Sequence, residues 1–576
     1  MSIKLFSWKN ALVAFMISGV FAILHLTGVL SSLEDRLYDI LLRFRQDRPR
    51  IDSVVFLDVD DSAISYNGIY PWPRSIPADG LLRLKEYGTR AVIFDIEYID
   101  RGPQGVDSLY LNQGLGNDFD RSFTEIDTNV GEIISAIRTG RLGQDDIDYY
   151  ARAISAMIKD ERNDLYARAY NIARDNDRYL AQAIALNGKS WSTLNLWGFP
   201  LEGEEAERRP LAESFFSYPV NAAANAHMGE GAIDILPALP IFAEAAKGAG
   251  FTNVEIDKDG VRRRIYLAQN IFDHWYLQLS FAPLMDYLGR PEILLEKNKL
   301  TIKQAQLADD IFCDIVIPLD NKGRMLLDWP KTDYLGSYSH VSFANFSLLD
   351  QIEAELEKYS HALATADLNF FIQFDYGLIE IQYILNAVGE YLVAAHTARN
   401  HAMETALTTS YAADDSFDAF LEYRNQSYAL LIEMLEGEPA ARIQALAADL
   451  SAEYPEYAEI IEDEAGYIVQ LINALDINVS RWHNINSDND TIFRDKFCII
   501  GRVDTGTTYS GANPFHGKYV NVGTHGVVLD TILSGTFIVP LDAWLNALLI
   551  LIIVPLFIFA SSRLAPVPRF IAGIGI

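Results

Sequence analysis

The chain has 576 residues, half of them hydrophobic and 22% charged, with 47 Lys and Arg against 78 Asp and Glu for a net charge of −31. That length has room for about three to four domains, and the acidic balance excludes a nucleic-acid binder, because such binding rests on cationic side chains displacing counterions from phosphate. Two cysteines, Cys313 and Cys498, are too few for a disulfide framework and lack histidine partners at zinc-ligand spacing, so both read as small buried hydrophobes.

Residues 11–30 carry no formal charge, and as one helix they would measure about 30 Å, the thickness of a bilayer core. Lys4 and Lys9 precede the run, which predicts a cytoplasmic N-terminus. The run is too long for a cleaved signal peptide and no A-x-A site follows, so it reads as an uncleaved anchor. LEDRLYDILLRFR (33–45) has the apolar spacing of an amphipathic helix. SVVFLDVD (53–60) and TRAVIFDIEY (89–98) read as buried strands, with a helix over 73–88 between them. That order predicts a βαβ unit and a parallel sheet.

Residues 104–178 are a polar insert. LPALPIFAEAAKGAG (236–250) reads as a helix, and the turns DKDG (257–260) and DNKG (320–323) each predict a hairpin between strand-like runs. Residues 351–487 are a long helical insert with 23 acidic and 5 basic residues, so −18 of the net charge lies there. A solvated face accounts for that charge, with cation or basic-partner binding as the alternative. FRDKFCIIG (493–501) is a late buried strand and GTHGVVLDTILSG (523–535) a helix. Residues 543–562 are a second uncharged run, followed by Arg563 and Arg569, hence another cytoplasmic flank. FIAGIGI (570–576) reads as the start of a third span, with a cytoplasmic effector expected downstream. The flanks place residues 31–542 outside the cytoplasm.

LEDRLYDILLRFR, VVFLDVDDSAI…PWPRS and GTRAVIFDIEY, then GFTNVEIDKDGVRRRIYL, IPLDNKGRMLLDW and CIIGRVDTGTTY…GTHGVVLDTILSG, together resemble the CHASE type 2 family. The resemblance implies a sensory module of the bacterial inner membrane. It would feed a downstream adenylate/guanylate cyclase or kinase and have no catalytic domain of its own. The expected fold is an α/β extracytoplasmic sensory domain with a mainly parallel sheet and a helical insert, flanked by transmembrane helices. Its expected parts are an anchor (1–30), a sensory domain in two pieces (31–350 and 488–540) around the acidic insert, and a second span with the start of a third (541–576). Expected partners are the membrane, a small ligand or periplasmic protein, and a second copy in a homodimer. No nucleic acid or cofactor is expected. An envelope structural or adhesion protein without signalling output is the alternative.

GRVDTGTT (501–508) lacks the P-loop lysine, and DKDG lacks most ligands of a calcium loop. LDVDDSAIS and IFDIEY slightly resemble the metal-binding segments of a class III nucleotide cyclase, and Asp58 and Asp95 are spaced near what a two-metal site would need, but both lie beyond the first span, where nucleotide is not supplied. His516 and His525, nine residues apart, have no metal-site frame. Ligands of open parallel sheets bind beyond the carboxyl ends of the strands, and there the sequence places Asp58, Asp60, Asp95, Glu97 and Asp504. Trp72 and Arg74 lie close by in PWPRS. These seven are the candidate ligand-binding residues. Asp60, Asp95 and Asp504 would hold a divalent cation if they converge, although no metal is assigned. The alternative is that the acids cap helices and fix loops, with Trp72 a lid on the sheet.

Overall fold

The computed structural model describes residues 8–102, 105–106, 115–139, 173–366, 368–506 and 508–561, with a few positions between 154 and 165. The expected start of a third span, Lys4, Arg563, Arg569 and nearly half of the polar insert lie outside the described residues.

Seven strands form the central sheet: β1 (Val54–Val59), β2 (Ala91–Asp95), β3 (Ser190–Trp197), β4 (Asp234–Pro237), β5 (Gly248–Phe251), β6 (Ser339–Ser342) and β7 (Phe497–Arg502). Their order is β6-β1-β7-β2-β3-β4, with β5 also on β3, and only β4 runs antiparallel. The two strands of the expected βαβ unit are therefore not neighbours. β7, reached about four hundred residues later, lies between them and joins both in register.

The described helices used below are α1 (Trp8–Leu26), α2 (Ser31–Phe44), α3 (Asp61–Asn67), α4 (Ser75–Glu86), α5 (Asn176–Asn187), α6 (Ala344–Thr365), α7 (Ile379–Thr405), α8 (Ser410–Glu436), α9 (Pro439–Glu453), α10 (Ala458–Phe493), α11 (Gly523–Leu533) and α12 (Ala543–Ser561). Strand side chains alternate between faces, so the sheet is covered twice. Val55, Leu57, Val92, Phe94, Cys498 and Ile500 pack with α4, α5 and residues of the helical insert. Val54, Phe56, Ile93, Phe497 and Ile499 pack with α11 and the strands of 265–327. α11 crosses closely at Gly526, where a Cβ would lie 2.6 Å from the fully buried Phe56 ring. α6 to α10 have a further core of their own.

Three expectations are corrected. Residues 236–250 are not one helix: Pro237 ends β4, a short helix spans Pro240–Ala245, and β5 begins at Gly248. Each Asp-rich turn closes on itself, with Asp257 N–H on the Val261 carbonyl and Asp320 N–H on the Arg324 carbonyl, but no strands pair across either one. Instead Arg264–Ile265, after the first turn, pairs with Met325–Leu326, after the second, so each turn presents its carboxylates to the same side-chain network. Finally, the first apolar helix ends at Leu26, not Leu30. Gly28 adopts φ 75°, and the chain bends by 93° into α2.

α1 and α12 pack side by side, and Ala14, Phe15, Leu551, Pro555 and Phe559 line a groove between them. Among the described residues, two helices are long and apolar enough to cross a membrane, Ala543–Ala560 with mean hydropathy 2.6 and Tyr376–Thr405 with 1.2, and α1 joined to α2 is a third, bent candidate. The Tyr376–Thr405 segment belongs to the insert, where Arg399 bonds Asp79 of α4 at 2.6 Å. Of the cysteines, Cys498 is buried and Cys313 only partly so.

Candidate functional site

At the carboxyl edge of the sheet, Asp58, Gly501 and Asp95 lie in register on three adjacent strands, so the two acids share a face. Asp58 is buried, accepts a 2.7 Å hydrogen bond from the Tyr334 hydroxyl, and meets His340 Nδ1 at 2.9 Å. Burial, and then the Asp58 charge, push the Tyr334 phenol far up. Asp95 Oδ1 lies 3.4 Å from His525 Nε2, whose Nδ1 meets the Gln278 amide at 2.8 Å. Two carboxylate–imidazole pairs thus flank Gly501. Glu97 bonds Asn195, yet loss of water and, second, the Asp95 charge raise its carboxyl above the usual range.

The other expected residues are held elsewhere. Asp60 is the N-cap of α3, accepting from Ala63 N at 2.8 Å and the Ser342 hydroxyl at 2.7 Å. Asp504 pairs with Arg502 at 3.0 Å. Arg74 bonds Asp177 and the Asp100 carbonyl, with its guanidinium over Tyr98 and Phe242. Trp72 is buried against Tyr70 and Phe343, and its indole N–H donates to the Gly68 carbonyl at 2.9 Å. Among the described residues, no three His, Cys, Asp or Glu side chains group closely enough to hold a metal ion. Asp60, Asp95 and Asp504 therefore do not form the cation cluster, and each carboxylate faces a different partner: the Ala63 N–H and Ser342 hydroxyl, His525, and Arg502. His516 is likewise engaged, at 3.0 Å from the Lys331 carbonyl.

The sequence reading missed a charged clamp at the opposite side, next to the ends of α2 and α11. Asp530 on α11 is fully buried. It accepts from Arg48 at 2.7 Å, from Arg50 at 2.9 Å and from Ile51 N at 3.1 Å. Asp328 takes Arg45 at 2.8 Å, Arg48 at 2.9 Å and the Thr536 hydroxyl at 3.0 Å. Burial works against the Arg48 charge, but Asp530 and Asp328 outweigh it and raise its pKa. The linker leaving α2 and the linker entering α12 thus meet on one buried carboxylate. A second network fixes α2 itself. Arg263, with no exposed side-chain surface, grips Asp39 in a bidentate pair at 2.6 and 2.8 Å and also holds Asp257 and Asp259, while Arg264 bonds Asp35 at 2.6 Å and Asp257. Arginine suits this role because its fork bonds two carboxylate oxygens at once. The visible signal was RQDRPR (45–50) and VRRRIY (261–266), each with three arginines in an acidic chain.

With this fold in view, the family model for the CHASE2 domain matches residues 13–367, more than half of the chain. The chain belongs to the CHASE2 domain family. CHASE2 domains are extracytoplasmic sensory modules, not catalysts, which agrees with an input role for this region. The CHASE2 match ends at residue 367, yet β7, at 497–502, completes the middle of the same sheet. No curated protein and no solved structure matches the chain.

Proposed function

We propose that residues 31–542 are the extracytoplasmic input domain of a membrane receptor, and that α1 and α12 carry its signal to a cytoplasmic cyclase or kinase. The observation that carries this reading is the clamp: Asp328 binds Arg45 and Arg48 from the first linker and Thr536 from the second. Any rearrangement of the sheet or of α11 moves both membrane helices together. The stimulus is a small ligand or a periplasmic protein. It acts at the edge where Asp58–His340 and Asp95–His525 flank Gly501, with Glu97 alongside, and the receptor works as a homodimer in the bacterial inner membrane.

The test is a hybrid receptor with a cyclase catalytic domain joined in frame after Arg569 and cyclic nucleotide as the readout. Arg45→Ala, which loosens a partly exposed clamp residue, should change the output about fivefold or more, the ordinary size of coupling between sites. Arg442→Ala, which breaks the Arg442–Asp375 pair in the insert, should leave it unchanged. Equal output from both variants and the parent would favour an anchored envelope protein without signalling.

A further inference from the structure

We infer that α2 lies in the plane of the membrane, with its apolar stripe sunk into the headgroup–acyl boundary of a leaflet containing anionic phospholipid. The inference rests on the receptor reading above and deepens it by naming a lipid surface as the partner of this helix. The 93° bend at residues 27–30 sets the geometry: with α1 crossing the bilayer, the α2 axis runs parallel to its surface. At 3.6 residues per turn, Leu33, Leu37, Ile40, Leu41 and Phe44 fall within an arc of about 100°. All five are between 48% and 84% exposed, and Leu26 and Val29 continue the exposed apolar surface back onto α1.

The opposite face cannot turn toward lipid, because Asp35 and Asp39 are held by Arg264 and Arg263 and Leu42 is buried against the domain. The stripe is therefore fixed facing away from the protein. Arg36 and Arg43 border one side of it and are exposed, placed to reach lipid phosphate while the leucines enter the acyl region. A helix with one apolar face, a charged opposite face and flanking basic residues is suited to lie in an interface rather than to cross it.

The experiment uses the full chain carrying Cys313→Ser, with the fully buried Cys498 retained. Single cysteines Leu37→Cys, Leu41→Cys, Ile552→Cys on α12 and Tyr383→Cys on the insert are labelled with an environment-sensitive fluorophore. The protein is reconstituted in vesicles of phosphatidylcholine and phosphatidylglycerol containing shallow, doxyl-labelled phosphatidylcholine. Labels at Leu37 and Leu41 should be quenched to the same order as Ile552 and severalfold more than Tyr383. Omitting phosphatidylglycerol should reduce the quenching at Leu37, and unchanged quenching would overturn the anionic preference. Quenching at Ile552 with none at Leu37 or Leu41 overturns the inference and leaves the receptor reading standing. Cross-linking between Leu37→Cys copies in that case assigns the stripe to a second chain. No quenching at Ile552 either would remove the receptor reading itself.

Discussion

Asp530→Ala should destabilise the full chain by about 3–5 kcal/mol, because removing one partner of a buried ion cluster leaves the others charged and unpaired. Arg48 and Arg50 would each lose a carboxylate in a site where Asp530 has no solvent contact, and Ile51 N would lose its acceptor. The measurement is chemical denaturation in detergent, with Asp52→Ala as the comparison. Asp52 also pairs with a cation, Lys496 at 2.9 Å, but its side chain is 85% exposed, so its loss should cost about 0–1 kcal/mol. A small effect at Asp530 would mean that the linker arginines are held by Asp328 alone.

The second large effect is expected where the acidic insert docks on the sheet layer. Arg83 of α4 is buried and bonds Glu353 at 2.6 Å and Asp350 at 2.7 Å. Arg424 of α8 bonds Glu86 at 2.5 Å, and Trp482 of α10 donates to Glu353 at 2.9 Å. Four helices meet on Glu353, so Glu353→Ala should cost about 3–5 kcal/mol by the same mechanism and raise hydrogen exchange in α6, α8 and α10. The site also predicts an acid limit. Burial alone would raise the Glu353 carboxyl, but Arg83 and Arg424 outweigh it and hold it down at about 2, against an ordinary 4.5. A depressed folded pKa contributes stability that is complete above the unfolded value and is lost as pH falls through the folded one. Stability should therefore decline between pH 4.5 and 2, and Glu353→Gln should flatten that decline. Asp350 shares Arg83 and is pushed the other way, by burial and by neighbouring acids, but its side chain is 42% exposed and water screens the effect. The acid limb follows Glu353.

Hydrophobic runs and turn residues made the strand and helix positions legible. VVFLDV, α4 and α11 lie within two residues of where the sequence places them, whereas the strand expected over 89–98 ends three residues early at Asp95 and the one expected from 493 starts four residues late at Phe497. Sheet order was not legible, because nothing local in FCIIG says that it slots between β1 and β2 after the insert. Register across β1, β7 and β2 brings Asp58 and Asp95 onto one edge, as the strand-end acids suggest. Which acid finds which partner depends on loops distant in sequence, such as the one carrying Tyr334 and His340. The clamp was hidden for the same reason, since Asp328, Asp530 and Arg45–Arg50 are about two hundred to five hundred residues apart. The 93° turn hinges on a single residue, Gly28, which a hydropathy run passes over.

The central claim is that the sheet and its acidic insert face away from the cytoplasm. A single cysteine at Tyr383→Cys, on the exposed insert, in a Cys313→Ser background, measures this with a membrane-impermeant maleimide added to intact cells whose outer barrier is permeable to the reagent. Full labelling is expected before lysis, with no gain after it. Labelling that appears only once the cytoplasmic membrane is broken would contradict it.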